Sequence, residues 1–257
     1  AVRKALRRAL DLYLIAVGLT LLIGAAIQGA QLLGIGDLGL GRPLVSVLNV
    51  LTLHRTYPVA DVMLLYALLM AALPLALVLL ATGHTRILLT ISAALWLQHQ
   101  LWPGRVVIPW PIAGNRVFVF AAWQLLFFAT FALGYHRDRW PRFVPLQRQR
   151  LHVLAGLGVA ALMALYVLIS LSSDALPAQV QRLAPVNDAA RVWIKAHLYS
   201  KGDVGIGRVV AAAFTSVFFF LSLTRWWRVL ACPLTAVLLP FGQNALYAYT
   251  VHVLAVV

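Results

Sequence analysis

Carboxylate chemistry can occur at few places in this chain, because its seven acidic residues are all aspartates. Asp61 stands out among them, since it opens a run, 61–80, that contains no other charged residue. An ionisable group at the edge of such a run either caps a helix, where the helix dipole favours a carboxylate, or faces a polar cavity. Tyr66 follows by a little more than one helical turn, so we expect both side chains on roughly the same helix face.

Two other apolar runs contain side chains that could contact a substrate. Trp123 and Gln124 lie inside the run 117–135, where an amide costs free energy unless it is paired. Gln124 therefore either bonds a neighbouring helix or points at a substrate. Arg208 begins the run 208–224. Such an arginine commonly extends to the membrane surface, but its planar fork also suits a carboxylate or a pair with Asp61.

The sequence contains no GxSxG elbow, no nucleotide-phosphate loop and no HExxH motif, so a hydrolase, kinase or metalloprotease is not supported. Cys232 is the only cysteine and no metal-ligand spacing occurs, so we expect no metal site. His252 lies in the last apolar run. A lone histidine there is more often a hydrogen-bonded helix contact than a base, which makes His252 a weak catalytic candidate.

Composition identifies the elements that position these residues. Hydrophobic residues make up 62% of the 257 residues and charged residues 11%, against about 45–50% and about 25% in soluble proteins. Apolar runs near the roughly 20 residues that cross a bilayer recur along the chain, without alternating strand patterns. The fold class is therefore all-α, a polytopic transmembrane helical bundle. We predict about seven spans, near 12–34, 60–81, 87–101, 117–135, 152–172, 208–224 and 233–257.

The formal net charge of +14 predicts the orientation of the bundle. A basic balance can indicate nucleic-acid binding, but here the arginines cluster before the first span, after the fourth and between the last two. These clusters fall on one side if the spans alternate, so the N-terminus is expected in the cytoplasm, with 35–59, 102–116 and 173–207 outside. We expect a multi-pass protein of the plasma (inner) membrane that contacts anionic lipids and binds no nucleic acid.

Two segments between the spans are expected to contain helices of their own. The segment 43–53 is too short to span and too apolar to lie free in water, which predicts an interfacial or re-entrant helix on the outer side. The segment 174–199 mixes charged residues with prolines and Trp193, and we expect it to form a folded outer loop with short amphipathic helices.

An ordered set of segments resembles the glucan biosynthesis protein C (OpgC) family, membrane succinyltransferases of the acyltransferase-3 superfamily. In that family a similar Asp and Tyr open a span, a serine-rich helix ending in Leu-Trp follows, and a Trp-Gln segment comes next. Here these segments are DVMLLY (61–66), ISAALWL (91–97) and WQLLFF (123–128). YSKGDVGIGR (199–208) is similar to the family's Lys-then-Arg entry to a late helix, and PFGQNALYAYTVHV (240–253) to its closing helix.

The resemblance implies an integral membrane O-acyltransferase, succinyltransferase-like, that modifies a glycan at the outer face. It also implies an acyl-CoA-type donor in the cytoplasm, no tightly bound cofactor and a glycan acceptor. Carried over residue by residue, it makes Asp61, Tyr66, Trp123, Gln124 and Arg208 the candidate substrate-binding residues. A non-enzymatic transporter or assembly component for glycan export is the alternative, and duplicated halves or broken helices would favour it.

The family's N-terminal helices, which carry an early Arg and the superfamily's catalytic His, have no counterpart before Ala1, so the catalytic residue of this chain is unknown. We expect 1–257 to form a single membrane domain, the C-terminal part of a longer acyltransferase-like bundle. Acyl transfer from a thioester to a sugar hydroxyl needs a base, donors for the oxyanion and a water-poor cavity. We expect Asp61, Gln124 and Arg208 to line one such cavity, open to the outer side.

Overall fold

The computed structural model of the chain describes residues 2–32, 43–57, 60–105, 107–115, 117–139, 148–171 and 187–226, with the single positions 240, 249 and 251. The regular structure of these residues is helical, as the apolar runs predict. The helices are α1 (Val2–Leu32), α2 (Pro43–Leu51), α3 (Ala60–Ala81), α4 (Thr85–Leu101), α5 (Phe120–Tyr135), α6 (Arg148–Leu171), α7 (Asp188–Trp193) and α8 (Ile206–Arg225), with a 3-10 turn at Arg137–Arg139 and a π-helical turn at Ile194–Leu198.

Four helical segments of the described chain are long and apolar enough to cross a bilayer: Val2–Ala26, Ala60–Ala81, Gln149–Val167 and Ile206–Arg225. The fold class, an all-α membrane bundle, is confirmed. α4 and α5 are shorter, with 17 and 16 residues, or roughly 25 Å each at 1.5 Å per residue against a hydrocarbon core of about 30 Å. The predicted span 233–257 lies outside the described residues apart from single positions.

The first helix differs from its prediction. α1 begins at Val2 rather than near residue 12, so it includes the four basic residues that were expected to precede the span. Arginine and lysine are good helix formers, and their long stems let the charges reach the membrane surface while the backbone stays helical. The helix expected within 43–53 is present as α2, and the described part of 174–199 contains α7 and the π-helical turn.

The chain divides into two compact units, unit 1 (Ala1–Arg137) and unit 2 (Asp138–Val257). In unit 1, α1 runs antiparallel to α3: Gly24, late in α1, faces the ring of Tyr57, which precedes α3, and Thr20 shares a crevice with Leu64. The apolar core joins four helices of this unit. Its buried members are Ala5, Leu65, Leu69, Leu73, Ala76, Leu80, Leu88, Phe128 and Ala132.

Two polar pairs set α4 antiparallel to α5. Thr85 Oγ1 lies 2.7 Å from His136 Nε2, and Ser92 Oγ lies 2.5 Å from Gln124 Oε1. The short turn 82–84 makes α3 and α4 an antiparallel hairpin. The end of α1, the start of α3, the end of α4 and the start of α5 therefore meet at one end of unit 1, which we call the loop end; the opposite one is the basic end.

In unit 2, α6 and α8 pack antiparallel, and glycines of α6 face aromatic rings of α8. His152 Nε2 lies 2.9 Å from Ser222 Oγ, Gly156 faces the ring of Phe218, and Gly158 faces the ring of Phe214. A Cβ at Gly158 would overlap the Phe214 ring. Membrane helices gain little from hydrophobic burial against each other, so small residues that permit close packing supply much of their contact energy.

Gly158→Ala should therefore lower the free energy of unfolding of unit 2 by about 1–3 kcal/mol, because the added methyl must displace the Phe214 ring. The control is Gly18→Ala in α1, where no heavy atom of the described residues lies within 4 Å of the added Cβ, and the change should be neutral or stabilise by up to about 1 kcal/mol. Denaturant unfolding in detergent micelles measures both. Equal stabilities for the two variants would show that α6 and α8 do not pack through Gly158.

Candidate functional site

Asp61 is buried in the first turn of α3, with 4% of its surface exposed, next to the fully buried Ala60. Tyr66, expected on the same face, is instead 46% exposed. Five residues turn an α-helix by about 140°, so a buried Asp61 directs Tyr66 away from the interior. The prediction that these two side chains share a helix face is wrong, and the structure does not bring them together.

Both polar atoms of the Gln124 amide form hydrogen bonds within the protein. Its Oε1 accepts from Ser92 Oγ at 2.5 Å, and its Nε2 donates to the Ser92 carbonyl at 2.7 Å and the Ala121 carbonyl at 3.2 Å. Gln124 is 1% exposed and Ser92 2%. Of the two roles open from the sequence, the helix contact is the one these bonds describe. A substrate contact would require breaking at least one of them, and Gln124 as a binding residue stays a prediction.

Trp123 is half-buried beside Gln124, at the start of α5. Its indole Nε1 donates to the Val117 carbonyl at 2.9 Å, and its ring packs against Phe118 with centroids 5.2 Å apart. These contacts tie the segment that precedes α5 onto the helix. The polar group of the indole is already engaged, so any contact of Trp123 with a substrate would use the ring face.

Arg208 lies in the first turn of α8, held by the loop that precedes the helix. Its Nε donates to the Tyr199 carbonyl at 2.9 Å. Gly205 and Gly207 approach the Leu198 carbonyl so closely that a Cβ at either would lie within 3 Å of it. The compact loop thereby fixes the stem of Arg208. Its terminal nitrogens have no hydrogen-bonding partner among the described residues, so the planar fork is oriented and available.

The cavity predicted for Asp61, Gln124 and Arg208 involves residues of both units. Asp61 and Gln124 belong to unit 1 and Arg208 to unit 2, and their common cavity stays a prediction. The crevice that Thr20 and Leu64 line in unit 1 is too narrow to hold a water molecule, and neither Asp61 nor Gln124 lines it. His252, the weak catalytic candidate, lies outside the described residues.

At the loop end of unit 1, the segments 52–57 and 107–115 are hydrogen-bonded to each other. Thr56 N donates to the Ala113 carbonyl at 2.8 Å, and Ala113 N donates to the His54 carbonyl at 2.9 Å. These two bonds form an isolated parallel bridge between otherwise irregular segments. The two segments are therefore one connected structure, which we call the clasp.

Trp110 and Gly114 complete the clasp. The Trp110 indole Nε1 donates to the Leu53 carbonyl at 3.1 Å, and its ring stacks on the imidazole of His54 at 5.4 Å and 17°. Gly114 has φ of 87°, and a Cβ there would overlap the Thr56 carbonyl. Only glycine fits at this position, because it tolerates positive φ and lets the two backbones approach.

The clasp is not predicted from the sequence, although a local signal for one of its ends exists. TLH at 52–54 and TGH at 82–84 are the same Thr-x-His pattern, and both follow the last residue of a helix. In each, the middle residue donates three residues back and the histidine five residues back, which is the Schellman arrangement of a helix C-terminus. The pattern identifies two helix ends but does not indicate that Trp110 joins one of them.

These observations define an integral membrane protein built of antiparallel α-helices, with polar groups buried near the loop end of one unit. A family model described as OpgC protein matches residues 1–257, so the chain belongs to the OpgC family and is an OpgC-type glucan-modifying membrane protein. The resemblance noted from the sequence is confirmed. No curated protein and no solved structure matches the chain.

Gln124→Leu and Ser92→Ala should each lower the free energy of unfolding by about 1–2 kcal/mol, since each leaves the partner's buried polar group unsatisfied. The double variant should cost clearly less than the sum, giving a coupling of about 1 kcal/mol in a double-mutant cycle. Gln98→Leu is the control, because Gln98 Oε1 has no partner among the described residues and its Nε2 makes a long bond of 3.5 Å to the Trp102 carbonyl, so this change should cost less than about 0.5 kcal/mol. Additive single effects would contradict the pairing.

Proposed function

We propose that this protein is an integral membrane O-acyltransferase of the succinyltransferase type. In this proposal it transfers an acyl group from a cytoplasmic acyl-CoA-type donor to a glycan at the outer face of the plasma (inner) membrane. The observation that carries the proposal is the OpgC family match, which covers residues 1–257. Each unit, taken by itself, has a feature that suits substrate binding: unit 1 buries polar groups near its loop end, and unit 2 holds an oriented arginine at the start of α8.

Arg208 supports the acyl half of the proposal. A succinyl group carries a free carboxylate, and a guanidinium whose Nε is already fixed on a backbone carbonyl presents its terminal N–H groups as a preformed fork. Preorganised charge-assisted hydrogen bonds of this kind are stronger than neutral ones and prefer planar carboxylates. We infer that Arg208 binds the terminal carboxylate of the acyl group. An acetyl group has no carboxylate and would make no such contact.

The charges of unit 1 support the proposed orientation. Antiparallel packing places the start of α1, the start of α4 and the end of α5 at the basic end, and this end carries Arg3, Lys4, Arg7, Arg8, Arg86 and Arg137. The described loop end carries Arg55 and Arg105. Because basic residues are more numerous at the basic end than at the described loop end, we expect the basic end to face the cytoplasm and to contact anionic lipids. The two described ends of unit 2 carry similar numbers of basic residues, so their charges do not favour either orientation of that unit.

Cysteine labelling tests the orientation. In a Cys232→Ser background, a membrane-impermeant thiol reagent added outside should modify Ala189→Cys, an exposed position of α7, and spare Gln149→Cys, an exposed position of α6. Permeabilised membranes, in which both cysteines should react, provide the control. Modification of Gln149→Cys with protection of Ala189→Cys would reverse the proposed topology.

Arg208→Lys should lower kcat/KM for a succinyl thioester donor by about tenfold or more, because an ammonium cannot copy the bidentate fork. Transfer from an acetyl thioester should change by less than about twofold on the same reasoning. Arg225→Lys, at the other end of α8 and exposed, is the matched control and should behave as wild type in membranes containing the full-length protein. Equal losses with both donors would show that Arg208 does not recognise the carboxylate.

A further inference from the structure

The two Thr-x-His caps fix the proton of each histidine. Thr52 Oγ1 donates its single hydrogen to the Leu48 carbonyl at 2.7 Å, so it can only accept at its contact with His54 Nδ1, 2.9 Å away. The proton of neutral His54 is therefore on Nδ1. Its Nε2 carries a lone pair and has no partner among the described residues. An exposed imidazole thus presents an oriented hydrogen-bond acceptor at the loop end.

His84 shows what this cap does by itself. Thr82 Oγ1 donates to the Val78 carbonyl at 2.9 Å and lies 2.9 Å from His84 Nδ1, so the tautomer is the same as that of His54. Among the described residues no aromatic ring stacks on His84. A Thr-x-His cap whose middle residue is glycine therefore forms without an aromatic ring on its histidine. In the Leu53 cap the indole N–H of Trp110 supports the strained residue, and this bond does not itself require the Trp110 ring to stack on His54.

The stacked pair of His54 and Trp110 lies at the surface, and hydrogen bonds between the segments 52–57 and 107–115 hold it in place. Three hydrogen bonds of the clasp surround it, and 38% of Trp110 remains exposed. Leu53, whose carbonyl accepts from the indole, has φ of 58°, whereas the equivalent residue of the other cap is Gly83. A left-handed conformation costs a non-glycine residue about 1–2 kcal/mol, and such strain concentrates at ligand sites.

We propose that His54 and Trp110 form a subsite for one sugar ring of the acceptor glycan. A sugar ring has an apolar face of C–H groups, which suits the exposed indole, and equatorial hydroxyls, one of which would donate to His54 Nε2. Binding sites commonly combine an aromatic surface with a few fixed polar groups in this way. This assignment rests on the proposed function, because it takes the acceptor to be a glycan, and it deepens that function by locating one contact.

A second Trp–His stack gives a matched comparison. Trp193 stacks on His197 at 4.9 Å and 18°, and His197 Nδ1 lies 3.0 Å from the Trp193 carbonyl. These residues are four apart in one helical stretch, where side chains meet by local geometry alone. Trp193 is 54% exposed. It has the ring, the exposure and the histidine, and Val204, with φ of 49°, precedes a glycine that lies against the His197 carbonyl. What it does not share with the loop-end pair is the clasp, because its two residues meet within one helical stretch.

Binding of short linear glucose oligosaccharides to the full-length protein in lipid nanodiscs, measured by calorimetry, tests the proposal. Trp110→Ala and His54→Ala should each weaken the Kd by about tenfold, the loss typical of an aromatic anchor or a fixed polar contact. Trp193→Ala and His84→Ala should stay within about twofold of wild type. His54→Ala removes no backbone bond of the clasp, so it decides the matter if Trp110→Ala fails to fold.

Wild-type affinity in both His54→Ala and folded Trp110→Ala would overturn the subsite, as would loss of binding in Trp193→Ala alone. A wild-type protein that acylates glycan in membranes but shows the same oligosaccharide affinity in all four variants would overturn the subsite and leave the proposed function standing. Selective loss in the two loop-end variants, without acyl transfer by the wild-type protein from any thioester, would support the subsite and overturn the proposed function.

Discussion

The arrangement of the loop end depends on one buried interaction, the reciprocal pairing of Ser92 with Gln124. An amide in an apolar interior cannot be left without partners, and both hydrogen-bonding atoms of Gln124 are satisfied on the two helices that it joins. The pair fixes the register of α4 against α5, and with it the level at which α4 ends and α5 begins. The segment 107–115, which is part of the connection between α4 and α5, is thereby brought to the level of 52–57.

Small residues then determine how closely the helices approach. Ala121 and Ala122 in α5 are fully buried, and Gly156 and Gly158 in α6 lie against phenylalanine rings. Within a bilayer the lipid is as apolar as leucine, so contact between helices depends on close packing and on hydrogen bonds rather than on burial alone. Both units therefore use the same combination, a polar pair that sets the register and small side chains that permit the approach.

The sequence predicts best what depends on the length of an apolar run. α3 occupies the predicted range 60–81, because a run of that length has few stable alternatives in a bilayer. The sequence predicts less well the direction in which a side chain points around its helix axis. Asp61 and Tyr66 are the example, since a separation of five residues places them on different faces of α3. It does not predict the stack of His54 with Trp110, because residues so distant in sequence meet only through the packing of the helices between them.

The two ends of unit 1 differ in what maintains their helix caps. At 82–84 the left-handed position is Gly83, so the cap forms without strain and needs no other support. At 52–54 it is Leu53, and a strained conformation persists only where the surrounding structure determines it. That support is the indole of Trp110 on the Leu53 carbonyl and the backbone pairing of Ala113. Loosening 107–115 would therefore also release the cap that holds His54, so the orientation of this imidazole is a property of the tertiary structure and not of its local sequence.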